Sequence, residues 1–161
     1  MPLIDGRFIA KKILGEVKRR AAKLKKQGLI PHLGVIFIGD DQSSTIYIRK
    51  KSEAAKQVGI QFSLFQFPKD ITEKKLLSAI KLLQSKNKLT GLIVQLPIPE
   101  HLYTPRILNA VNPAIDVDCL TNVNQGKLLM KSNQWEPPTA GAMIAAADSL
   151  QIDLAGKHTV I

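Results

Sequence analysis

Three side chains of different chemistry stand at spacings that would let them meet one ligand. Tyr47 and Lys51, in Ser44-Thr-Ile-Tyr47-Ile-Arg-Lys-Lys51, are four residues apart, so on a helix a phenol and an amine share one face. Gln95 closes the apolar run Gly91-Leu-Ile-Val as its lone polar residue, and Pro97 and Pro99 beyond it stop a strand from continuing. Amine, phenol and carboxamide would then converge where strand gives way to loop, which is where open α/β sheets bind ligands.

Each of these residues also has a plainer reading. A lysine half-buried beside Arg49 and Lys50 suits proton transfer, or it is one more solvent-facing lysine in a lysine-rich chain. Tyr47 either stacks on a flat ligand or caps the core with its ring. A buried Gln95 amide needs a hydrogen-bond partner, which a purely structural contact would also supply. Asp116-Val-Asp118 offers two carboxylates. With no further ligands clustered nearby this is a weak divalent-cation signal, and Asp118 on a loop is equally suited to accept paired N–H donors from a heterocycle. His32, His101 and His158 show no zinc spacing, so no metal site is expected. Neither G-x-G-x-x-G nor a P-loop occurs, so these residues hold no dinucleotide-phosphate cradle.

The elements that must position these groups follow from periodicity. A helix is expected from Arg7 to Gln27, capped near Asp5 or Gly6 and stopped by Gly28, with Ile9, Ile13, Val17, Ala21 and Leu24 as its apolar face. Leu33–Gly39 reads as a buried strand, and a helix closed by Gly59 follows the polar loop 40–44. Ile60–Phe67 alternates apolar and polar residues, as a strand near a sheet edge does. Thr72 caps a third helix, and Leu89–Gln95 is the third strand. This order implies an α/β fold, a mostly parallel sheet flanked by helices. Beyond Pro99, a short helix falls within 101–111, while 112–118 and Leu120–Trp135 read as long ordered loops. Thr139 would cap a helix from Ala140 to Leu150, and Gly156–Ile161 would open a further strand. Ending on a half-built strand suggests a chain cut at a domain boundary.

Composition bounds the setting. With 161 residues and 45% hydrophobic content the chain can bury one core, and 22% charged residues suit a folded soluble domain. The single cysteine, Cys119, excludes an internal disulfide and fits a reducing compartment. No secretory signal or membrane-length apolar run is present, so the cytoplasm is the expected location and no membrane partner is expected. The net charge of +10 could attract nucleic acid, an anionic surface or a small polyanion, or it could simply solvate helix faces. Aromatics are not interleaved with the basic run 18–26, which argues against nucleic acid as a partner.

Taken in order, Ser44-x-x-Tyr47-x-x-x-Lys51, Gly91-Leu-Ile-Val-Gln95-Leu-Pro97-x-Pro99 and Asp116-Val-Asp118 followed by Asn124-x-Gly126-x-Leu128 resemble the bifunctional methylenetetrahydrofolate dehydrogenase/methenyltetrahydrofolate cyclohydrolase family. Ile4-Asp-Gly6 and Gly39-Asp-Asp41 fit as well, and the resemblance runs through essentially the whole chain. It implies an N-terminal folate domain facing an NADP-binding Rossmann domain, with residues 1–138 as the catalytic domain and 139–161 as a linker helix and first strand of a truncated NADP domain. By position it implies a catalytic set of Lys51, Gln95 and Tyr47, with Lys51 handling protons at the one-carbon bridge and Gln95 holding Lys51. Tyr47, Ser44, Asp118 and Pro97 would bind substrate, Tyr47 on the aminobenzoate ring and Asp118 on the pterin. The implied cofactor is NADP, bound beyond Ile161. The implied partners are tetrahydrofolate derivatives carrying polyglutamate tails and a second copy in a homodimer, in one-carbon supply that includes purine biosynthesis.

The chain departs from the family pattern at two places. Cys119 stands where Asp-Val-Asp-Gly has glycine, and Pro137-Pro-Thr139-Ala140 replaces Pro-Cys-Thr-Pro. The first places the loop that holds Asp118 in question, because glycine tolerates backbone shapes other residues avoid. A folate-binding domain without catalysis is the alternative this leaves open.

Overall fold

The computed structural model describes residues 4–133, 135–151 and 155–158. Three parallel strands, β1 (His32–Ile38), β2 (Gln61–Phe67) and β3 (Gly91–Val94), form a sheet in the order β2-β1-β3. The apolar run of β1 lies at the centre, with Val35 aligned to Leu64 on one side and to Ile93 on the other. β2 borders the sheet, as expected of a strand near an edge, but the expected apolar–polar alternation is broken: Gln61, Leu64 and Gln66 are exposed, whereas Ser63 is half-buried against the His32 ring.

Because side chains alternate across a strand, the sheet serves two cores. Ile36, Ile38, Leu92 and Val94 point to a face covered by Leu76 and Ile80 of α3 (Glu73–Lys86) and by Leu102 and Ile107 beyond β3. Val35, Phe37 and Ile93 point to the opposite face, where Ile48 of α2 (Gln42–Val58) covers them. Helices therefore lie on both sides of a parallel sheet. α2 starts at Asp41, whose Oδ2 accepts the Ser44 N–H at 2.7 Å, and stops at Gly59 in the left-handed region (φ 81°). Thr72 caps α3 by accepting from the Lys75 N–H.

α1 (Gly6–Lys26) packs outside α2, capped by the Asp5 carboxylate. Its expected apolar face is only half used. Ala21 is buried and Ile9 and Val17 are half-buried, whereas Ile13 and Leu24 stay exposed; Leu14, outside the expected face, is half-buried as well. The short helix expected within 101–111 is α4 (Pro105–Asn109), preceded by a single 3-10 turn at Glu100–Leu102.

Two expectations are corrected. The stretch Leu120–Trp135 is not a loop throughout, because Asn122–Leu129 forms α5, with Thr121 Oγ1 accepting the Asn124 N–H. Two asparagines and Gly126 are poor helix formers and hide it from a propensity reading, but the buried Asn124 ties it down by tertiary contacts. Thr139 does not cap the last helix. α6 runs Pro138–Ser149 with Pro138 at its first turn, where a missing N–H costs nothing. The strand expected over 156–161 is not seen at Gly156–His158, and 159–161 lie outside the described residues.

Candidate active site

The three motifs meet at the C-terminal end of β3, in a cleft of about 800 Å³ lined by all six expected residues, Ser44, Tyr47, Lys51, Gln95, Pro97 and Asp118. The helical period of α2 turns Tyr47 and Lys51 to the same side. Tyr47 is 60% exposed, so its ring belongs to the cleft wall and not to the core. Lys51 is half-buried, and its Nζ donates to Gln95 Oε1 at 2.9 Å, across 44 residues of chain.

The Gln95 amide is held at both ends. Its backbone N–H continues the ladder to the Ile36 carbonyl at 2.9 Å, while its Nε2 donates to the Leu96 carbonyl at 2.7 Å. With the amide nitrogen so engaged, the amide oxygen is left facing Lys51. The Leu96–Pro97 bond is cis, which turns the chain sharply beside the amide. Ser44 is buried, and its hydroxyl donates to the same Leu96 carbonyl at 3.4 Å. It therefore supports the wall from behind.

Asp118 reaches the cleft from another direction. The segment before it runs beside β3, with the Leu92 N–H donating to the Ile115 carbonyl at 2.7 Å. Gly91 makes this approach feasible, since a Cβ there would lie 3.1 Å from the Val117 side chain. Among the described residues none donates a hydrogen bond to the Asp118 carboxylate, which leaves its oxygens for a ligand. Burial pushes its pKa above the usual carboxylate value, the Lys51 charge opposes that, and the Asp116 carboxylate adds a smaller upward push.

Asp116 and Asp118 do not share a ligand. Asp116 is buried and its oxygens are occupied by N–H donors from Leu120, Thr121 and Asn124. The cation reading of this pair loses its chemistry, and among the described residues no cluster of three or more His, Cys, Asp or Glu is placed to hold a metal. Cys119 adopts φ 57°, the left-handed region that glycine occupies easily, so the loop takes a glycine-like shape despite the substitution. Its buried thiol donates to the Trp135 carbonyl, and burial together with Asp116 and Asp118 raises its pKa.

Several lining residues escaped the sequence reading. Leu14 and Val17 of α1 and Pro137, Pro138 and Thr139 at the start of α6 complete the cleft. Val17 falls on the expected apolar face of α1 and Leu14 beside it, but nothing local says that this side of the helix borders a cavity. The arrangement as a whole offers an amine beside an amide, an exposed aromatic face and a carboxylate that no described residue hydrogen-bonds, within one open cleft. These are the parts needed to hold a flat, N–H-bearing heterocycle and to move a proton on it.

Among known proteins, the model of the catalytic domain of tetrahydrofolate dehydrogenase/cyclohydrolase matches residues 4–118. The bifunctional protein FolD of Nautilia profundicola is 37% identical over all 161 residues, which correspond to 57% of its own length. The crystal structure of bifunctional FolD from Campylobacter jejuni superposes with a TM-score of 0.90 at 31% identity, covering 96% of this chain and 55% of that one. The Trypanosoma brucei enzyme, solved with NADP cofactor and an inhibitor, gives a TM-score of 0.90 at 30% identity, over 98% and 55% of the two chains. The chain thus spans a little over half the length of these relatives.

Proposed function

Because this chain belongs to the tetrahydrofolate dehydrogenase/cyclohydrolase family, we propose that it supplies the folate site and catalytic lysine of an enzyme of one-carbon metabolism. That enzyme oxidises 5,10-methylenetetrahydrofolate to the 5,10-methenyl form and hydrolyses the latter to 10-formyltetrahydrofolate. The observation that carries this reading is the 2.9 Å hydrogen bond from Lys51 to Gln95 inside a cleft that Tyr47 and Asp118 also line.

In the hydrolytic step, water adds to the carbon bridging N5 and N10, and the Lys51 amine takes the proton that water loses. The resulting ammonium returns a proton to N5 as the bond from N5 to that carbon breaks. Carbon is left on N10 as a formyl group, and one proton is released overall. Gln95 holds the amine on this path, because its oxygen can only accept and so steers Nζ. Tyr47 offers its face to the aminobenzoate ring, and the Asp118 carboxylate accepts from the pterin N–H groups. Pro97 closes the wall at the strand end.

NADP is the hydride acceptor that this reading implies. These residues include no glycine-rich turn able to cradle its phosphates, so they do not fit the dinucleotide. The finer parts of the proposal are residues 1–138 as the catalytic domain with 139–161 leading into a dinucleotide domain, polyglutamylated folates as substrates, a homodimer, and a cytoplasmic setting that feeds purine biosynthesis. Among the described residues no helix is long and apolar enough to cross a membrane.

The test is the loss of methenyltetrahydrofolate ultraviolet absorbance above its spontaneous rate. The Lys51→Met variant is expected to fall to the spontaneous rate, a loss of at least about a hundredfold for a positioned proton carrier. Equal rates for parent and variant would overturn the assignment.

A further inference from the structure

We infer that Asp116 and Trp135 are positioning residues for Asp118, and that through it they set affinity for the pterin half of the ligand; this rests on the folate reading above. Among the described residues none hydrogen-bonds the Asp118 carboxylate, so its direction is set by the backbone on either side.

That backbone is tied at one point. Asp116 is 3% exposed, and its Oδ1 accepts the Leu120 N–H at 3.1 Å while its Oδ2 accepts the Thr121 N–H at 2.8 Å and Asn124 Nδ2 at 3.0 Å. Its carbonyl accepts the Trp135 indole N–H at 2.8 Å and the Cys119 N–H at 3.3 Å. One residue thus binds β3, the N-terminus of α5 and the segment leading to α6 into a single frame. Val117, Asp118 and Cys119 bridge the inside of that frame. Val117 is seated on Gly91, and Cys119 is drawn to the Trp135 carbonyl.

A carboxylate that must accept two parallel N–H bonds tolerates little error in direction. Loosening the frame should therefore cost affinity for a pterin-bearing ligand and leave the Lys51–Gln95 pair and the Tyr47 face as they are. Asp116→Asn replaces an acceptor by an NH2 donor facing donors of the loop, and Trp135→Phe removes one N–H while keeping an aromatic ring.

The decisive measurement is equilibrium dialysis of the 161-residue chain with two probes, tetrahydrofolate and p-aminobenzoylglutamate, which lacks the pterin. Both variants are expected to weaken tetrahydrofolate about tenfold or more, one lost charge-assisted hydrogen bond in effect, and to leave p-aminobenzoylglutamate unchanged. General destabilisation would weaken both probes alike and would overturn the inference. Should Asp116→Asn fail to fold by circular dichroism, Trp135→Phe alone decides. If the parent binds tetrahydrofolate and Trp135→Phe binds it equally well, the folate reading stands and this inference falls. If the parent binds neither probe, the folate reading falls and takes the inference with it.

Discussion

Asp118 is held in the folded protein at an energetic disadvantage that the unfolded chain does not have. Burial raises its carboxyl pKa, and the Lys51 charge only partly offsets this. A raised pKa in the folded state means that the unfolded chain loses the proton first. The associated stability is fully present below the ordinary aspartate range, about pH 4, and is lost as pH rises through the raised value. Asp118→Asn cannot ionise and keeps that stability at every pH. It is expected to melt higher than the parent at pH 7, with the gap closing toward pH 4, while tetrahydrofolate binding is lost. A parent that melts higher at pH 7 would mean that Lys51 stabilises the carboxylate more than burial penalises it. The sequence shows Asp118 as a carboxylate on a loop, but not that Asp116 is the residue whose oxygens are consumed. That distinction arises because the N–H donors of Leu120, Thr121 and Asn124 turn toward one carboxylate and not toward the other.

Elements differ in how much local chemistry they needed. α2 is legible from its cap at Asp41, its stop at Gly59 and the Tyr47–Lys51 spacing, all within a few residues of one another. α5 is not, because Gly126 and the asparagines weaken it and its anchors are the distant carbonyls of Pro113 and Asp116. Outside their own helix turns, no described residue comes within 4 Å of a Cβ added at Gly126 in α5 or Gly15 in α1, so each carries the glycine penalty without a packing reason. Gly126→Ala and Gly15→Ala are each expected to stabilise by up to about 1 kcal/mol in urea unfolding, with an unchanged slope. A loss of stability at either site would mean that the helix needs the backbone freedom of glycine there.

Over the whole molecule, 23 basic residues oppose 13 acidic ones, and the basic residues of α1 from Lys11 to Lys26 are all exposed. The same helix forms part of the cleft wall through Leu14 and Val17, so an anionic tail leaving the cleft along α1 meets positive charge. A polyglutamylated folate is expected to bind more tightly than its monoglutamate at low ionic strength. The advantage should shrink above about 0.15 M salt, where screening acts within roughly 8 Å. Equal affinities at low salt would reduce the charge to a solvated surface. From the sequence alone came the helix–strand alternation that requires a parallel sheet, the shared face of Tyr47 and Lys51, and an amide at the end of a buried strand. Those features follow from backbone periods of 3.6 and 2 residues, which act over one or two turns. Only the tertiary structure brought Lys51 to Gln95 across 44 residues, seated Asp118 opposite them by way of the Leu92–Asp116 bridge, and drew α1 and α6 around the same cleft. Contacts between distant segments depend on strand order and on which faces find each other in packing, and no local spacing encodes that choice.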